Sequence, residues 1–120
     1  MLKIAFLLLT LTEAGDPRLT VSYSETPEEC EGLGFAILGI LDEAGATVLH
    51  HRCGETALDL TPFEHGLGPE HEVNRFRVTV PVDADWSIEP LSAEAACQGA
   101  PDSNPAVYCA VSVQAVADDR

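Results

Sequence analysis

The chain has 120 residues, 46% of them hydrophobic, which suits one domain with a substantial core and excludes a disordered composition. Twenty acidic residues face six basic ones, so the net charge is −14 with the histidines neutral. Nucleic acids and anionic lipid surfaces are polyanions, and this charge therefore disfavours both as partners. It favours proteins or ions of positive charge.

Residues 1–14 fit two structures. The segment Met1–Leu11 has one lysine followed by an uncharged, mostly apolar run, the pattern of a secretory signal peptide with cleavage after Ala14. The run is too short for a membrane span, which needs about 20 apolar residues. The same segment also fits an N-terminal strand followed by a hairpin turn over Glu13–Arg18. We expect a signal peptide and export to the periplasm or the extracellular space, with residues 15–120 forming a single disulfide-stabilised domain. The alternative is a cytoplasmic protein with an ordered N-terminal strand.

One long helix is predicted after a short alternating strand at Leu19–Ser24. The residues Thr26–Glu29 read TPEE: a threonine suited to the N-cap, a proline suited to the first helical position, and a glutamate that completes a capping box. The helix is expected to run from Pro27 to Glu43 or Ala44 and to stop at Gly45, the C′ residue. Its predicted buried stripe consists of Leu33, Ile37, Leu38 and Leu41.

The rest of the chain is dominated by strand patterns. The clearest of them is Val73–Val82, where one face is predicted to carry Phe76, Val78, Val80 and Val82 and the other Arg75, Arg77 and Thr79. The segment Ser92–Cys97 fits a single helical turn. The segment Thr61–Glu72 is rich in Gly, Pro, Glu and His and is expected to be a loop. Together these elements predict an α+β domain, with the helix on a mostly antiparallel sheet of about five strands; a β-sandwich with one helix is the alternative. The other predicted strands are Ala46–Cys53, a weaker Thr56–Leu60, Trp86–Glu89 and Ala106–Val116.

Four cysteines in a short chain predict two disulfides, provided that the chain reaches an oxidising compartment. The helix spans about 27 Å and the strand after it returns about 26 Å, so Cys53 comes back beside the first helical turn, where Cys30 lies. We therefore predict the pairs Cys30–Cys53 and Cys97–Cys109. No CxxC spacing indicates a zinc or redox site.

No pattern in the chain indicates catalysis or cofactor binding. Phosphate-binding glycine motifs and the GxSxG serine elbow are absent from the sequence, so we expect no enzyme activity and no cofactor. His50 and His51 are adjacent on a predicted strand and should point to opposite faces. His65 and His71 lie in the acidic loop and are candidate ligands for zinc or copper, but no ligand spacing supports them. No metal site is predicted.

The basic cluster of the chain consists of Arg75 and Arg77 on one predicted strand, joined by Arg52. Internal pairing with nearby carboxylates is the simpler interpretation. A contact with an acidic protein partner is the other.

These observations predict a small, acidic, exported accessory domain that acts by protein–protein contact and has no chemistry of its own. Three alternatives remain open. The first is a structural subunit of an envelope or virion assembly. The second is a cytoplasmic inhibitor that occupies a basic site by mimicking a polyanion. The third is a weak metal-binding protein that uses His65 and His71.

Overall fold

In the computed structural model, which describes residues 2–63 and 69–117, six strands form one sheet and one helix covers part of it. A short 3₁₀ turn, Pro69–His71, precedes the fourth strand. The elements in chain order are β1 (Lys3–Leu11), β2 (Pro17–Ser24), α1 (Pro27–Glu43), β3 (Val48–Thr56), β4 (Asn74–Val80), β5 (Ser87–Leu91) and β6 (Ala106–Ser112).

The strand order is β3-β1-β2-β6-β4-β5. Every neighbouring pair is antiparallel except β2 and β6, which are parallel, so the sheet is mixed. The α+β class is thus right in outline, but the described residues form six strands rather than five, and one sheet rather than a sandwich. The added strand is β1. The weak strand predicted at Thr56–Leu60 is absent: Thr56 ends β3, and Leu60 forms an isolated bridge with Val116.

Strand β1 lies inside the sheet between β3 and β2, and both of its faces are covered. Its odd-numbered residues 5, 7 and 9 belong to the larger core, and its even-numbered residues 6 and 8 pack beneath α1. A strand buried on both faces needs a nearly continuous apolar sequence. The run of Lys3–Leu11 therefore meets the requirement of a central strand as well as that of a signal peptide.

The larger core fills the concave side of a curled sheet. Phe76 and Val78 of β4 and Trp86 before β5 are buried there, as are residues of β1, β2 and β6. Val82, predicted to share this face, lies beyond the end of β4 and is exposed. The other members of this core are Ala5, Leu7, Leu9, Leu19, Val21, Leu60, Val80, Ala106 and Ala110.

Both edges of the sheet are protected from pairing with another strand. Asp85, in the turn before β5, lies against β3: its carboxylate pairs with Arg52 (Nε–Oδ1 3.1 Å) and accepts from the backbone N–H of Glu55 (3.4 Å). The opposite edge strand, β5, contains Pro90, which has no N–H to donate. Features of this kind disfavour the edge-to-edge pairing of sheets.

Helix α1 has the predicted end signals. The hydroxyl of Thr26 accepts from the backbone N–H of Glu29 (3.1 Å), and the Glu29 carboxylate accepts in return from the backbone N–H of Glu25 (3.1 Å). The standard capping box uses the N–H of the N-cap residue as this donor, and here the donor is one residue earlier. At the other end Gly45 has φ +74°, a conformation that favours glycine. The N–H of Gly45 donates to Asp42 and that of Ala46 to Leu41, which closes a Schellman motif.

Both predicted disulfides are confirmed. Cys30 of α1 bonds to Cys53 of β3, and Cys97 bonds to Cys109 of β6, each with Cα atoms 6.0 Å apart. Cys30 is fully buried between α1 and the sheet, where it packs with Phe6 and other residues of the smaller core. The first disulfide therefore ties the start of the helix to the strand that returns beside it.

Replacing Cys30 and Cys53 together by alanine is expected to lower the free energy of unfolding by about 3 kcal/mol, because the unfolded chain regains the entropy of an open loop. Urea denaturation followed by circular dichroism measures the loss. The double alanine variant of Cys97 and Cys109 is the matched control: it opens a shorter loop outside the smaller core and should lose no more. A larger loss in that control would contradict the expectation that the disulfide that closes the longer loop stabilises the domain more.

The segment predicted as a helical turn at Ser92–Cys97 is a non-helical turn in which the N–H of Ala95 donates to the carbonyl of Ser92 (3.2 Å). Arg75, rather than local helix formation, holds it in place. The guanidinium of Arg75 donates to the carbonyls of Ser92, Ala93 and Ala95 at 2.9–3.2 Å.

A buried glutamine completes the contact between β2 and the end of the chain. Strands β2 and β6 pair at Arg18 and Val111. Beyond this pair, the side chain of Gln114 forms hydrogen bonds with the backbone of β2 in place of a neighbouring strand. Its amide oxygen accepts from the N–H of Val21 (2.9 Å), while its amide nitrogen donates to the carbonyls of Val21 (3.0 Å) and Thr61 (2.8 Å). Gln114 is fully buried, and nothing in the sequence pattern distinguished it.

Candidate interaction surface

Helix α1 has one face that the fold uses and one that it does not. Cys30 and Gly34 are buried, and Ile37, Leu38 and Leu41 pack on the smaller core, which confirms most of the predicted stripe. The opposite side carries Phe35, 84% exposed, and Ile40, 66% exposed. We define the outer face of α1 as these two residues with Gly32, Ala36 and Gly39, all of them exposed.

The glycines of α1 divide between the two faces. A Cβ atom added at Gly34 would lie 2.6 Å from Cε1 of Phe6, so this glycine is needed for helix and sheet to approach. Gly32 and Gly39 have nothing within 4 Å of such an atom. Each glycine in a helix interior costs about 0.8–1 kcal/mol relative to alanine. The two outer glycines therefore lower the stability of the helix without serving the packing of the domain.

Gly39→Ala is expected to raise the free energy of unfolding by about 0.5–1 kcal/mol, through helix propensity alone. Gly34→Ala gains the same propensity but forces its methyl group into the buried ring of Phe6, and overpacking costs roughly 1–3 kcal/mol. It should therefore lower stability. Chemical denaturation of the two variants and of the parent chain measures whether each substitution raises or lowers the free energy of unfolding. Equal stabilisation by both substitutions would show that α1 does not lie this close to β1.

Carboxylates flank the outer face at both ends of α1. Glu28 and Glu31 lie near its start, and Asp42 and Glu43 near its end; all are exposed, and α1 contains no lysine or arginine. Within residues 2–63 and 69–117, none of these four forms an ion pair. At 1.5 Å per residue the two acidic ends are about 16–22 Å apart. The outer face is thus apolar in the middle and negatively charged at each end.

The three arginines of the predicted basic cluster do not lie together. Arg75 and Arg77 are neighbours on the same side of β4, whereas Arg52 is on β3 and pairs with Asp85. Arg77 pairs with Glu89 on β5 (2.7 Å) and donates to a carbonyl of the following turn. With the contacts of Arg75 to that turn, this pair fixes the segment after β5 against the sheet.

The remaining described cations are also engaged. Lys3 pairs with Asp59 (Nζ–Oδ1 2.8 Å), a hydrogen bond that raises the pKa of Lys3. Arg18 pairs with the nearly buried carboxylate of Glu72 (2.6 Å). This pair lines an open groove of about 660 Å³ between the β1–β2 turn and the α1–β3 turn, together with the carboxylates of Glu13 and Asp16. All five Lys and Arg residues of the described chain thus have partners within it.

The adjacent histidines lie on opposite sides of β3, as strand alternation requires. His50 faces the concave side, with Nε2 2.9 Å from the hydroxyl oxygen of Tyr108 and its ring edge-on to Trp86. Burial raises the pKa of Tyr108, so this phenol remains protonated well into the alkaline range. His51 faces the helix side, near the ring of Phe6.

The two candidate metal ligands are not brought into a visible site. His71 ends the 3₁₀ turn, with Nε2 3.6 Å from a carboxylate oxygen of its neighbour Glu70, and His65 lies outside the described residues. No group of three or more His, Cys, Asp or Glu in residues 2–63 and 69–117 could hold a metal ion.

In the part of the chain that the structure describes, no helix has the length and apolar character needed to cross a membrane. Comparisons of the chain with protein-family models, with curated proteins and with solved structures find no match.

Proposed function

We propose that this chain is an exported, acidic accessory domain that binds a protein partner through the outer face of α1 and has no catalytic activity of its own. The observation that carries the proposal is the exposure of Phe35 and Ile40 on a helix whose other side already packs on the sheet. Aromatic side chains that project from a rigid element are the usual anchors of protein interfaces.

The composition of the face supports this choice of surface. Phe35 is one of four phenylalanines in the chain, and an exposed aromatic ring gains nothing for the isolated domain. The outer glycines also lower the stability of the helix, and they do not improve the packing inside the domain. A partner that covers the face would account for both features, because close contact needs small residues beside a protruding one.

Export is supported by the two disulfides, which are typical of proteins that mature in an oxidising compartment. The proposal does not depend on cleavage after Ala14, because Lys3–Leu11 forms the central strand β1 of the sheet. Because of the two disulfides, protein isolated from its natural source should contain no free thiol among its four cysteines. Mass spectrometry after alkylation without reduction counts them. Four alkylated cysteines would overturn the export proposal and would favour the cytoplasmic alternative.

The docking face can be tested by site-specific crosslinking in the natural host. A photoreactive phenylalanine analogue at position 35 should give a discrete adduct with a second protein, because this side chain is expected to lie inside the interface. The matched control places the same analogue at Val82, which is 78% exposed but lies in the β4–β5 turn. Adducts of equal yield at both positions, or at neither, would overturn the proposal.

A further inference from the structure

We infer that the partner presents a basic amphipathic helix: an apolar stripe with lysines or arginines at both ends, laid along the outer face of α1. This inference rests on the proposed function and adds the chemistry of the partner. Helix-to-helix docking of this kind is read from apolar anchors at helical spacing. Gly32, Phe35, Ala36, Gly39 and Ile40 supply that spacing on the side of α1 turned away from the sheet.

The sign of the partner's charge follows from the ends of the face. Exposed carboxylates stand at both ends of α1: those of Glu28, Glu29 and Glu31 at its start, and those of Asp42 and Glu43 at its end. No lysine or arginine of α1 stands between them, and the whole chain carries −14. Docking this face against an acidic surface would bring like charges together at both ends of α1, and a neutral surface would leave the exposed carboxylates there unpaired. Basic groups at both ends of the stripe remove that penalty and also speed encounter with the acidic domain.

A second copy of this chain does not meet the requirement. In an antiparallel pair of α1 helices, Glu28 and Glu31 of one copy would face Asp42 and Glu43 of the other, and a parallel pair would juxtapose like ends. The five described cations are held by partners in their own chain. Breaking those contacts to supply counter-charges would cost stability elsewhere. Within residues 2–63 and 69–117, no lysine or arginine is free to supply the basic groups, which favours a different protein as their source.

The dimensions of the face define the partner further. The acidic ends are about 16–22 Å apart along the axis, which corresponds to about 11–15 residues of a helical partner. Gly32 and Gly39 lie on either side of Phe35 and leave open space beside it. These gaps admit large side chains of the partner or a close approach of its backbone. Phe35 would in turn fill a gap in the partner's stripe.

A synthetic peptide supplies a defined probe. The test peptide has about 18 residues, with a leucine and alanine stripe and two lysines at each end about 12 residues apart. Its matched control carries glutamates in place of the lysines. In two-dimensional NMR titrations of the full chain, the lysine peptide should shift the amides of residues 32–40, and the glutamate peptide should not. The affinity should fall several-fold between about 50 and 300 mM salt, since exposed charges are screened.

Two serine variants locate the binding. Phe35→Ser should weaken the lysine peptide at least about tenfold, as expected for a central aromatic anchor. Val82→Ser removes an equally exposed apolar group from another part of the domain and should leave binding unchanged. Both sites are exposed, so neither variant should affect folding. Equal binding of both peptides, or equal loss in both variants, would overturn the inference.

The outcomes separate this inference from the proposed function. If crosslinking at position 35 captures a protein but the lysine peptide does not bind, the docking face stands and the basic helix is wrong. If size-exclusion chromatography shows dimers that Phe35→Ser dissociates, a second copy occupies the face and the inference is overturned. If crosslinking captures nothing and the lysine peptide does not bind, both fail.

Discussion

A chain that begins at residue 15 is expected not to fold, because it lacks the central strand of the sheet. Strand β1 supplies the backbone partners of both β2 and β3 and places Leu7 and Leu9 in the larger core. Truncating a single buried leucine to alanine costs about 2–5 kcal/mol, and the whole stability of a small domain is about 5–15 kcal/mol. Far-UV circular dichroism and urea denaturation of the shortened chain, beside the full chain, measure the outcome.

Point variants within β1 show whether the loss comes from the core rather than from chain length. Leu7→Ala is expected to lower the free energy of unfolding by about 3–5 kcal/mol, since Leu7 is fully buried and its neighbours cannot close the cavity. Leu11→Ala, at the 39% exposed end of the same strand, should cost less than about 1 kcal/mol.

The same experiment bears on the two interpretations of residues 1–14. If the natural protein begins near residue 15 and still unfolds cooperatively, the domain folds without β1, and the assignment of Lys3–Leu11 as a strand is wrong. If instead the natural protein retains Lys3–Leu11, the segment acts as a strand. Amino-terminal sequencing of that protein decides between these outcomes.

The helix and its disulfide could be predicted because their determinants are local. The capping residues of α1 and the terminating Gly45 lie within one turn of the ends they specify, and the length of the return strand fixes the position of Cys53. Such signals depend little on the rest of the fold. The registers of the long antiparallel pairs likewise follow from alternation once the neighbours are known.

Contacts between distant segments of the chain could not be predicted from the sequence. An apolar run such as Lys3–Leu11 has no period that separates a signal peptide from a strand buried on both faces. The parallel pairing of β2 with β6 joins residues more than ninety positions apart, as the Arg18–Val111 register shows. On β6, the small residues Ala106 and Ala110 face the core, whereas the more hydrophobic side, with Val107, Cys109 and Val111, does not.

The candidate docking face was missed for a related reason. The predicted buried stripe of α1 leaves Phe35 and Ile40 on the other side of the helix, but the sequence did not indicate whether another element covers them. The Cys30–Cys53 bond and the approach of Gly34 to Phe6 fix this orientation of the helix, and Phe35 remains 84% exposed. An exposed aromatic residue indicates a binding surface only when the fold is known and shows that no other element covers the residue.

Gln114→Leu is expected to lower the free energy of unfolding by about 4 kcal/mol or more, although it exchanges a polar buried side chain for an apolar one of similar size. The glutamine amide satisfies the N–H and the carbonyl of Val21 and the carbonyl of Thr61. Leucine would leave all three unpaired in the interior, at roughly 1–3 kcal/mol each. Gln98→Leu, at an exposed glutamine, is the matched control and should change stability by less than about 0.5 kcal/mol.

Gln114→Glu tests the same hydrogen bonds through their dependence on pH. The introduced carboxylate could still accept from the N–H of Val21, but its second oxygen would meet two carbonyls and repel them. Burial beside acceptors disfavours the charged form and raises the pKa of the introduced carboxyl above its unfolded value of about 4.3. The folded state then binds the proton more tightly. Relative to the parent chain, the variant should therefore be least impaired near pH 4 and should lose stability as the pH rises through the folded pKa. A pH-independent difference between variant and parent would contradict the placement of this side chain between two carbonyls, and with it the junction of β2 with the end of the chain.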